Sequence, residues 1–328
     1  GVTVLEVRAT EPDRLDLGAQ QHDPALPVLE ELVVVPGAPV RDRDLVASPR
    51  HGDDGTAPRT YRGPMQLIRY DAGGVARVGV VEGDVVRDAG TDVFDPQPGD
   101  AVGRLDAVTV LAPVPPPGKI VCVGRNYREH AEETGSAVPT RPQLFAKWAN
   151  ALVGPGASIV HPTITEQLDY EAELTVVIGR RAQKVHVADA LDFVYAYTCG
   201  NDVSARDLQF GDTQWTRGKA LDTFAPMGPW LVTADEIPDP QALGIRCIVS
   251  GETLQDSSTS EMLFSVAEII AFTTEAITLE RGDVIMTGTP PGVGVARNPQ
   301  RFLHPGDTVR VEIDGIGALE NAVVASDA

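Results

Sequence analysis

Two glutamates stand two positions apart at the start of a β-branched run. The run over residues 175–178, Thr-Val-Val-Ile, is typical of a strand. Alternate side chains of a strand share a face, so Glu171 and Glu173 should point the same way, with Ala172 opposite. Neighbouring carboxylates repel, and burying them unpaired is costly. The pair predicts either a solvent-facing sheet edge or a buried site in which a cation lies between the two carboxylates.

A third carboxylate, Asp202, follows a predicted strand over residues 195–199. Together with Glu171 and Glu173 it would provide three oxygen ligands. An all-carboxylate set without histidine or cysteine suits Mg²⁺, Mn²⁺ or Ca²⁺ rather than Zn²⁺. Because Asp202 comes directly after Gly200 and Asn201, an ordinary turn residue is the alternative interpretation.

His130 and Glu133 stand three positions apart in a segment, residues 127–133, that has the character of a helix. At that spacing both side chains lie on one helix face. A carboxylate beside an imidazole orients the ring and stabilises its protonated form, which makes a better general base. A surface pair with no role in chemistry would have the same spacing.

Lys219 is one of only four lysines in the chain, and Gly218 and Ala220 flank it. Where arginine is the usual cation, such a lysine could hold a substrate anion, and an ordinary surface lysine is the alternative. The segment is not a phosphate loop, because GxxxxGK[ST] would need glycine at Thr213 and Ser or Thr at Ala220.

A glycine-rich segment, residues 287–294, follows a predicted strand over 284–286. Its glycines would allow the backbone to approach a ligand closely. It lacks the GxGxxG spacing of a dinucleotide site, and a tight loop without a ligand fits it equally well.

The elements that must position these residues are mostly strands. A buried strand is predicted over residues 119–124, and helices over 187–195, over 204–210 with Ser204 as N-cap, and over 265–278. Strands outnumber helices, and turns often separate them. This pattern favours an α+β, mostly β fold around a mixed β-roll or barrel over a doubly wound parallel sheet.

Composition suggests three segments. Residues 1–64 are predicted to be a poorly ordered or irregular extension, with short strands at 2–7 and 28–35 and no chemistry. Residues 65–117 should form a small α/β module that ends in a proline-rich linker, and residues 118–328 the domain that contains the candidate site residues, which the resemblance described below implies to be catalytic.

Charge and cysteine content limit the possible functions. The net charge of −20 argues against a nucleic-acid binder. The three scattered cysteines, Cys122, Cys199 and Cys247, fit a reducing, cytoplasmic location. No apolar run approaches the roughly 18 residues of a membrane span, and no signal peptide is recognisable.

Five motifs, in order over residues 65–325, resemble the fumarylacetoacetate hydrolase superfamily and its bacterial FAH-domain enzymes. The motifs are GRNYREH at 124–130, DYEAEL at 169–174, NDVSARDLQ at 201–209, residues 214–219 with DTFAPMGPW at 222–230, and GDVIMTGTP at 282–290. The resemblance implies a mixed β-roll, a small N-terminal domain and a homodimer.

The resemblance also implies roles for nine residues. Glu171, Glu173 and Asp202 would be ligands of Mg²⁺ or Mn²⁺, with Ca²⁺ as a further option. The residues that would act on or bind substrate are the dyad His130 and Glu133, the polarising Lys219, and the substrate contacts Arg206, Gln209 and Thr289.

The chain departs from the family pattern at two places. Val123 stands where eukaryotic members supply a fourth carboxylate, and Ala220-Leu221 replace the more usual Ser-Phe.

The dyad favours a metal-dependent hydrolase that cleaves a carbon–carbon bond of a small 2,4-diketo acid through an activated water and an enolate. An isomerase, hydratase or decarboxylase of 2-oxo acids such as oxaloacetate or 2-oxo-heptenedioate is the alternative, because fold does not decide among these reactions. A non-catalytic homologue is a minor alternative.

Overall fold

The computed structural model describes residues 65–326. The predicted extension at 1–64, with its strands at 2–7 and 28–35, lies outside the described residues. The strands are β1 Gln66–Asp71, β2 Ala76–Glu82, β3 Val85–Asp88, β4 Ala101–Arg104, β5 Val110–Leu111, β6 Ile120–Gly124, β7 Gln143–Lys147, β8 Leu152–Val153, β9 Ile159–His161, β10 Leu168–Asp169, β11 Ala172–Ile178, β12 Val194–Asn201, β13 Ser204–Ala205, β14 Ala225–Thr233, β15 Gly244–Val249, β16 Glu252–Ser258, β17 Val284–Met286, β18 Thr308–Ile313 and β19 Gly317–Ala325.

Helices are few and short. The α-helices are α1 Arg128–Glu133, α2 Arg206–Gly211, α3 Thr216–Lys219 and α4 Val266–Ala276. The 3₁₀ helices are Leu105–Ala107, Ala149–Ala151, Val187–Phe193, Ala234–Glu236, Thr259–Glu261 and Gly294–Ala296. Among residues 65–326, none of the helices combines the length and the apolar character that a membrane crossing requires.

A large sheet carries the elements that surround the candidate site residues. Its main path runs β4-β3-β2-β1-β14-β12-β11-β17-β6-β7, while β5 pairs with β1 and β8 with β14. Strand β11 pairs antiparallel with β12 on one side and with β17 on the other. All seven of its residues are buried, which fits the β-branched run that predicted it.

A second sheet, in the order β16-β15-β18-β19-β9, packs on the first. Strand β15 contacts β11, and β18 contacts both β11 and β12, so the main hydrophobic core lies between the two sheets. Helix α4 covers part of this core with Val266, Ile269 and Ile270. Ser265 begins the helix through a capping box with Glu268, at the position where the helix was predicted to start.

These elements confirm the prediction of a mostly β, α+β fold. The predicted cap at Ser204 is wrong, because Ser204 pairs in β13 with Asp169 of β10, its hydroxyl donates to the carbonyl of Asp202, and α2 begins only at Arg206. The helix predicted over 187–195 is a 3₁₀ helix that ends at Phe193, because strand β12 begins at Val194.

The N-terminal strands are continuous with the rest of the large sheet. Strand β1 pairs with β2 on one side and with β14 on the other. Among these strands, Arg77 of β2 and Asp88 of β3 form an ion pair with Nη2 and Oδ2 2.5 Å apart, and the Tyr70 hydroxyl donates to Asp88 Oδ1 at 2.7 Å. The hydrogen bond from Arg77 outweighs burial and lowers the pKa of Asp88 to about 2.

A carboxyl whose pKa is lowered by folding stabilises the folded state above its unfolded pKa, near 4, and loses that contribution as the pH falls through the folded value. We therefore expect Asp88→Asn to lower the free energy of unfolding by about 1–2 kcal/mol at pH 7. Urea unfolding should show that the difference from the unmodified protein shrinks below about pH 4.

The matched control is Asp84→Asn, which removes an exposed partner of Arg104 in the same module. Its effect should stay within about 0.5 kcal/mol. Equal losses in the two variants, or a loss at Asp88 that does not change with pH, would contradict the assignment.

Candidate functional site

Three carboxylates meet where β11 begins and β12 ends. Glu171 directly precedes β11, Glu173 lies within it, and Asp202 directly follows β12. The antiparallel register places Ala172 opposite Asn201, so the two strand ends lie side by side. One ligand oxygen of each carboxylate lies within 4.8 Å of the others, and all three residues are buried.

Cations surround two of these carboxylates. Lys219 Nζ lies 2.8 Å from Glu171 Oε2 and 2.9 Å from Asp202 Oδ2. Arg206 Nη1 lies 2.7 Å from Glu171 Oε1. Burial opposes ionisation of Glu171, but Lys219 and Arg206 outweigh it and hold the pKa of Glu171 well below its usual range. Asp202 and Glu171 likewise raise the pKa of Lys219 against the effect of burial.

The second lysine of the site is Lys147, at the end of β7. Its Nζ lies 2.6 Å from Asp202 Oδ1 and donates to the carbonyls of Val203, at 2.9 Å, and Lys219. The contact with Asp202 is an ion pair without hydrogen-bond geometry. Burial lowers the pKa of Lys147, and Asp202 only partly offsets this effect.

Glu173 is the carboxylate without a cationic partner among the described residues. It accepts one hydrogen bond, from the Gly288 amide at 2.9 Å. Burial, followed by the charges of Asp202 and Glu171, raises the pKa of Glu173 well above its usual value. Of the two interpretations that the sequence left open, the burial of both glutamates excludes the solvent-facing edge. The nearest cation, Lys219, bridges Glu171 and Asp202.

The donor set fits a hard divalent cation. All of its side-chain donors are carboxylate oxygens, and a positive charge beside Glu173 would offset the negative charge that the protein leaves uncompensated. Glu171, Glu173 and Asp202 are the residues that would hold the ion. Val123, which directly precedes Gly124 at the end of β6, is apolar and lines the same cavity.

The His130–Glu133 pair faces this cavity from α1. His130 Nδ1 lies 2.7 Å from Glu133 Oε1, and Glu133 Oε2 accepts from the Gly292 amide at 2.8 Å. With Nδ1 donating to the carboxylate, the neutral ring carries its lone pair on Nε2. Both residues of the predicted dyad are therefore in hydrogen-bond contact, and His130 lines the cavity with Glu171.

Arg206 and Gln209 occupy successive turns of α2 beside the carboxylates. Arg206 donates through Nε to Asp169 at 2.7 Å and through Nη1 to Gln209 Oε1 at 3.0 Å. Its buried Nη2 has no hydrogen-bond partner among residues 65–326. The guanidinium thus retains an unused donor beside a cavity that Arg206 and Gln209 both line.

Thr289 also lines the cavity, but its hydroxyl is engaged within the protein. It donates to the Ala172 carbonyl at 2.9 Å and accepts from Gln255 Nε2 at 2.8 Å. The loop that contains it, residues 287–294, is tied to Glu173 through Gly288 and to Glu133 through Gly292. At Gly288, where φ is +97°, an added Cβ would lie 2.6 Å from Asn126 Cβ, so glycine is required.

Several residues of the site were not assigned a role from the sequence. Lys147 shares with Lys219 the rarity that drew attention to the latter, and that signal could have identified it. Asp169 accepts from Arg206 and from the amides of Gly294 and Val295, which ties α2 to the glycine-rich loop. Its place in the DYEAE motif is the only signal that the sequence offers.

Comparison with known proteins identifies relatives over most of the chain. A family model described as "Fumarylacetoacetate (FAA) hydrolase C-terminal" matches residues 119–324, and one described as "Rv2993c-like, N-terminal" matches residues 65–113. Oxaloacetate tautomerase fahd2, mitochondrial, of Xenopus laevis is 48% identical over 219 residues, which is 66% of this chain and 69% of that protein. Human oxaloacetate tautomerase FAHD2A, mitochondrial, is 46% identical over 219 residues, 66% and 70% of the two chains.

Solved structures resemble the chain over a larger part of its length. The 2-hydroxyhepta-2,4-diene-1,7-dioate isomerase from Mycobacterium marinum is 38% identical with a TM-score of 0.70. The fumarylacetoacetate hydrolase from Exiguobacterium antarcticum is 38% identical with a TM-score of 0.73. Each comparison covers 80% of this chain and 100% of the other.

We expect Glu173→Gln to weaken Mg²⁺ and Mn²⁺ binding by more than about tenfold, because it removes a charged ligand that has no internal cation. Isothermal calorimetry on metal-stripped protein measures the affinity. Without metal, the melting temperature should be unchanged or higher, since a neutral amide replaces a buried, repelled carboxylate.

The matched control is Glu132→Gln, on the exposed side of α1. It carries the same change of charge, and its metal affinity should equal that of the unmodified protein. Unaltered Mg²⁺ affinity in Glu173→Gln would exclude the proposed ligand set.

Proposed function

We propose that this chain, which belongs to the fumarylacetoacetate hydrolase family, is a divalent-metal-dependent enzyme that interconverts the keto and enol forms of a 2-oxo dicarboxylic acid such as oxaloacetate. The observation that carries the proposal is a buried three-carboxylate cluster, of which Glu171 and Glu173 line one cavity with His130. Glu133 holds the His130 ring by a hydrogen bond. The oxaloacetate tautomerases at 46–48% identity support the choice of reaction.

The size of the cavity supports a small substrate. Its volume is about 60 Å³, whereas a single ordered water needs roughly 10–15 Å³. In the proposal, this limited space accommodates a compact four-carbon acid. Mg²⁺ or Mn²⁺ is the proposed ion, and the homodimer implied by the resemblance stays a prediction.

The side chains provide for both proton movements of a tautomerisation. In the proposal, His130 Nε2 accepts the proton that leaves C3 of the substrate, and Glu133 stabilises the resulting imidazolium through Nδ1–H. The proton then returns to the 2-oxo oxygen, so that atoms and charge balance. When bound, a divalent cation supplies positive charge that stabilises the negative charge developing on that oxygen.

The cationic side chains provide for binding and orientation. Arg206 has its unused Nη2 donor beside the cavity, and Gln209 lies next to it, so both could hold the carboxylate that adjoins the 2-oxo group. Lys219, already bridging Glu171 and Asp202, adds positive charge where the substrate oxygens would develop negative charge.

A carbon–carbon bond hydrolase acting on a 2,4-diketo acid is the second candidate. The same His130–Glu133 pair could deprotonate a water instead of a carbon acid. The structural likeness to a fumarylacetoacetate hydrolase supports this candidate. A decarboxylase, a hydratase or a non-catalytic homologue would use or retain the same residues and must be distinguished by assay.

We expect the purified protein with Mg²⁺ to accelerate the loss of the ultraviolet absorbance of enol-oxaloacetate while total oxaloacetate stays constant. Chelation of the metal should abolish the acceleration, and added Mg²⁺ should restore it. Release of pyruvate and carbon dioxide would instead identify a decarboxylase. Cleavage of an acylpyruvate without action on oxaloacetate would overturn the tautomerase proposal in favour of the hydrolase.

We expect His130→Asn to lower kcat by about 10²- to 10⁴-fold, because the proposed base is lost. Glu133→Gln should lower it less, since the ring remains. Mg²⁺ affinity, measured by calorimetry, should be little changed in either variant. His161→Asn, which lies outside the cavity lining, is the matched control, and equal kcat values for the two histidine variants would refute the role of His130.

A further inference from the structure

Arg125 brings to the cavity a positive charge that the protein does not neutralise. It directly follows β6 and lines the cavity with His130, Glu173 and Lys219. Among residues 65–326, no carboxylate lies within salt-bridge distance of its guanidinium. Its one side-chain hydrogen bond is long, 3.4 Å from Nη1 to Gln143 Oε1. The side chain is half-buried, and burial lowers the pKa of Arg125.

Aromatic side chains hold this guanidinium in place. Its carbon lies 5.2 Å from the ring centre of Trp215. Trp215 in turn packs edge-on against Phe145 with ring centres 5.4 Å apart, and Lys219 Nζ lies 5.2 Å from the centre of the Phe145 ring. A cation–π contact uses the face of the guanidinium and leaves its in-plane N–H donors available for a two-pronged contact with a carboxylate.

The backbone at this point is shaped to present the side chain. Arg125 has a φ of +55°, in the left-handed region that non-glycine residues rarely occupy and that costs about 1 kcal/mol or more. A Cβ on the preceding Gly124 would lie 2.6 Å from Trp215 Cζ3, so the indole packs directly on the backbone. Such strain in a residue that faces a cavity is typical of a binding position.

The contrast with Arg206 separates the roles of the two arginines. Arg206 is fully buried and is paired with Asp169 and Glu171, so its charge is balanced within the protein. Arg125 comes from a different element and has no such partner among the described residues. Of the two, Arg125 is therefore the one whose charge is available to pair with an anion from outside.

We infer that Arg125 binds a second substrate carboxylate, the one farther from the 2-oxo group, and thereby selects 2-oxo dicarboxylic acids over 2-oxo monocarboxylic acids. The inference rests on the proposed function, since it assumes that the 2-oxo end lies at the carboxylate cluster. It assigns the discrimination between the two classes to one contact, Arg125 with its Trp215 support.

The test measures binding of oxaloacetate and of pyruvate, which lacks the second carboxylate, by calorimetry with Mg²⁺ present. Arg125→Met should weaken oxaloacetate binding by about 10- to 100-fold, the range expected for a lost charged hydrogen bond, and leave pyruvate binding unchanged. Arg125→Lys keeps the charge but not the two-pronged geometry, so its loss should be intermediate. If Arg125→Met does not fold, Arg125→Lys provides the same comparison of oxaloacetate and pyruvate binding.

The matched control is Arg128→Met, which removes an equal charge from the exposed side of α1, outside the cavity lining. It should leave both affinities unchanged. Equal weakening of oxaloacetate and pyruvate in Arg125→Met, or weakening of neither, would overturn the inference. So would a similar loss in Arg128→Met, which would indicate long-range charge alone.

Binding and turnover separate this inference from the proposed function. If the unmodified protein binds oxaloacetate without tautomerising it, and Arg125→Met still loses only oxaloacetate, the reaction assignment fails and the assignment of Arg125 holds. If tautomerisation occurs with a KM for oxaloacetate that Arg125→Met does not change, the proposed function holds and the assignment of Arg125 fails.

Discussion

The structure depends on the compensation of three carboxylates that are buried within 4.8 Å of one another. Bringing them together is unfavourable unless cations or hydrogen-bond donors accompany them. Lys147 contacts one carboxylate oxygen of Asp202 and Lys219 contacts the other. Lys219 also contacts Glu171. Glu173 has no such cationic partner among the described residues, and burial and the charges of Asp202 and Glu171 raise the pKa of Glu173. A divalent cation bound by the three carboxylates would offset the charge of Glu173 that no side chain compensates.

Acidic side chains also set the position of the glycine-rich segment, residues 287–294. Glu173 accepts from Gly288, Glu133 accepts from Gly292, and Asp169 accepts from Gly294. The residues that would hold the ion, the proposed base and the arginine on α2 are thereby attached to one segment of backbone. Their relative positions do not rest on side-chain packing alone, which suits chemistry that needs accurate distances.

Much of the site could be predicted because its signals are local or belong to motifs. The two-residue spacing of Glu171 and Glu173 and the three-residue spacing of His130 and Glu133 follow from strand and helix geometry. The family resemblance, confirmed by the match over residues 119–324, added Arg206, Gln209 and Thr289. The start of α4 at Ser265 was likewise predicted, because the helical spacing of its apolar residues is local in the chain.

What could not be predicted depends on contacts between distant segments. Ser204 has the chemistry of a helix cap, but pairing with Asp169 places it in a strand. The partners of Lys147 are carbonyls and a carboxylate 55 or more positions away, so nothing near it in the chain marks it as part of the site. The large sequence separation of these contacts has a consequence for folding.

Glu173 and Gly288 are 115 residues apart, and Glu133 and Gly292 are 159 apart. Because closing such long loops comes late in folding, the ion-binding geometry is completed only when the whole domain is assembled. The ion would then bind the folded chain far better than any partly folded one, and its binding energy would add to the stability of the entire domain.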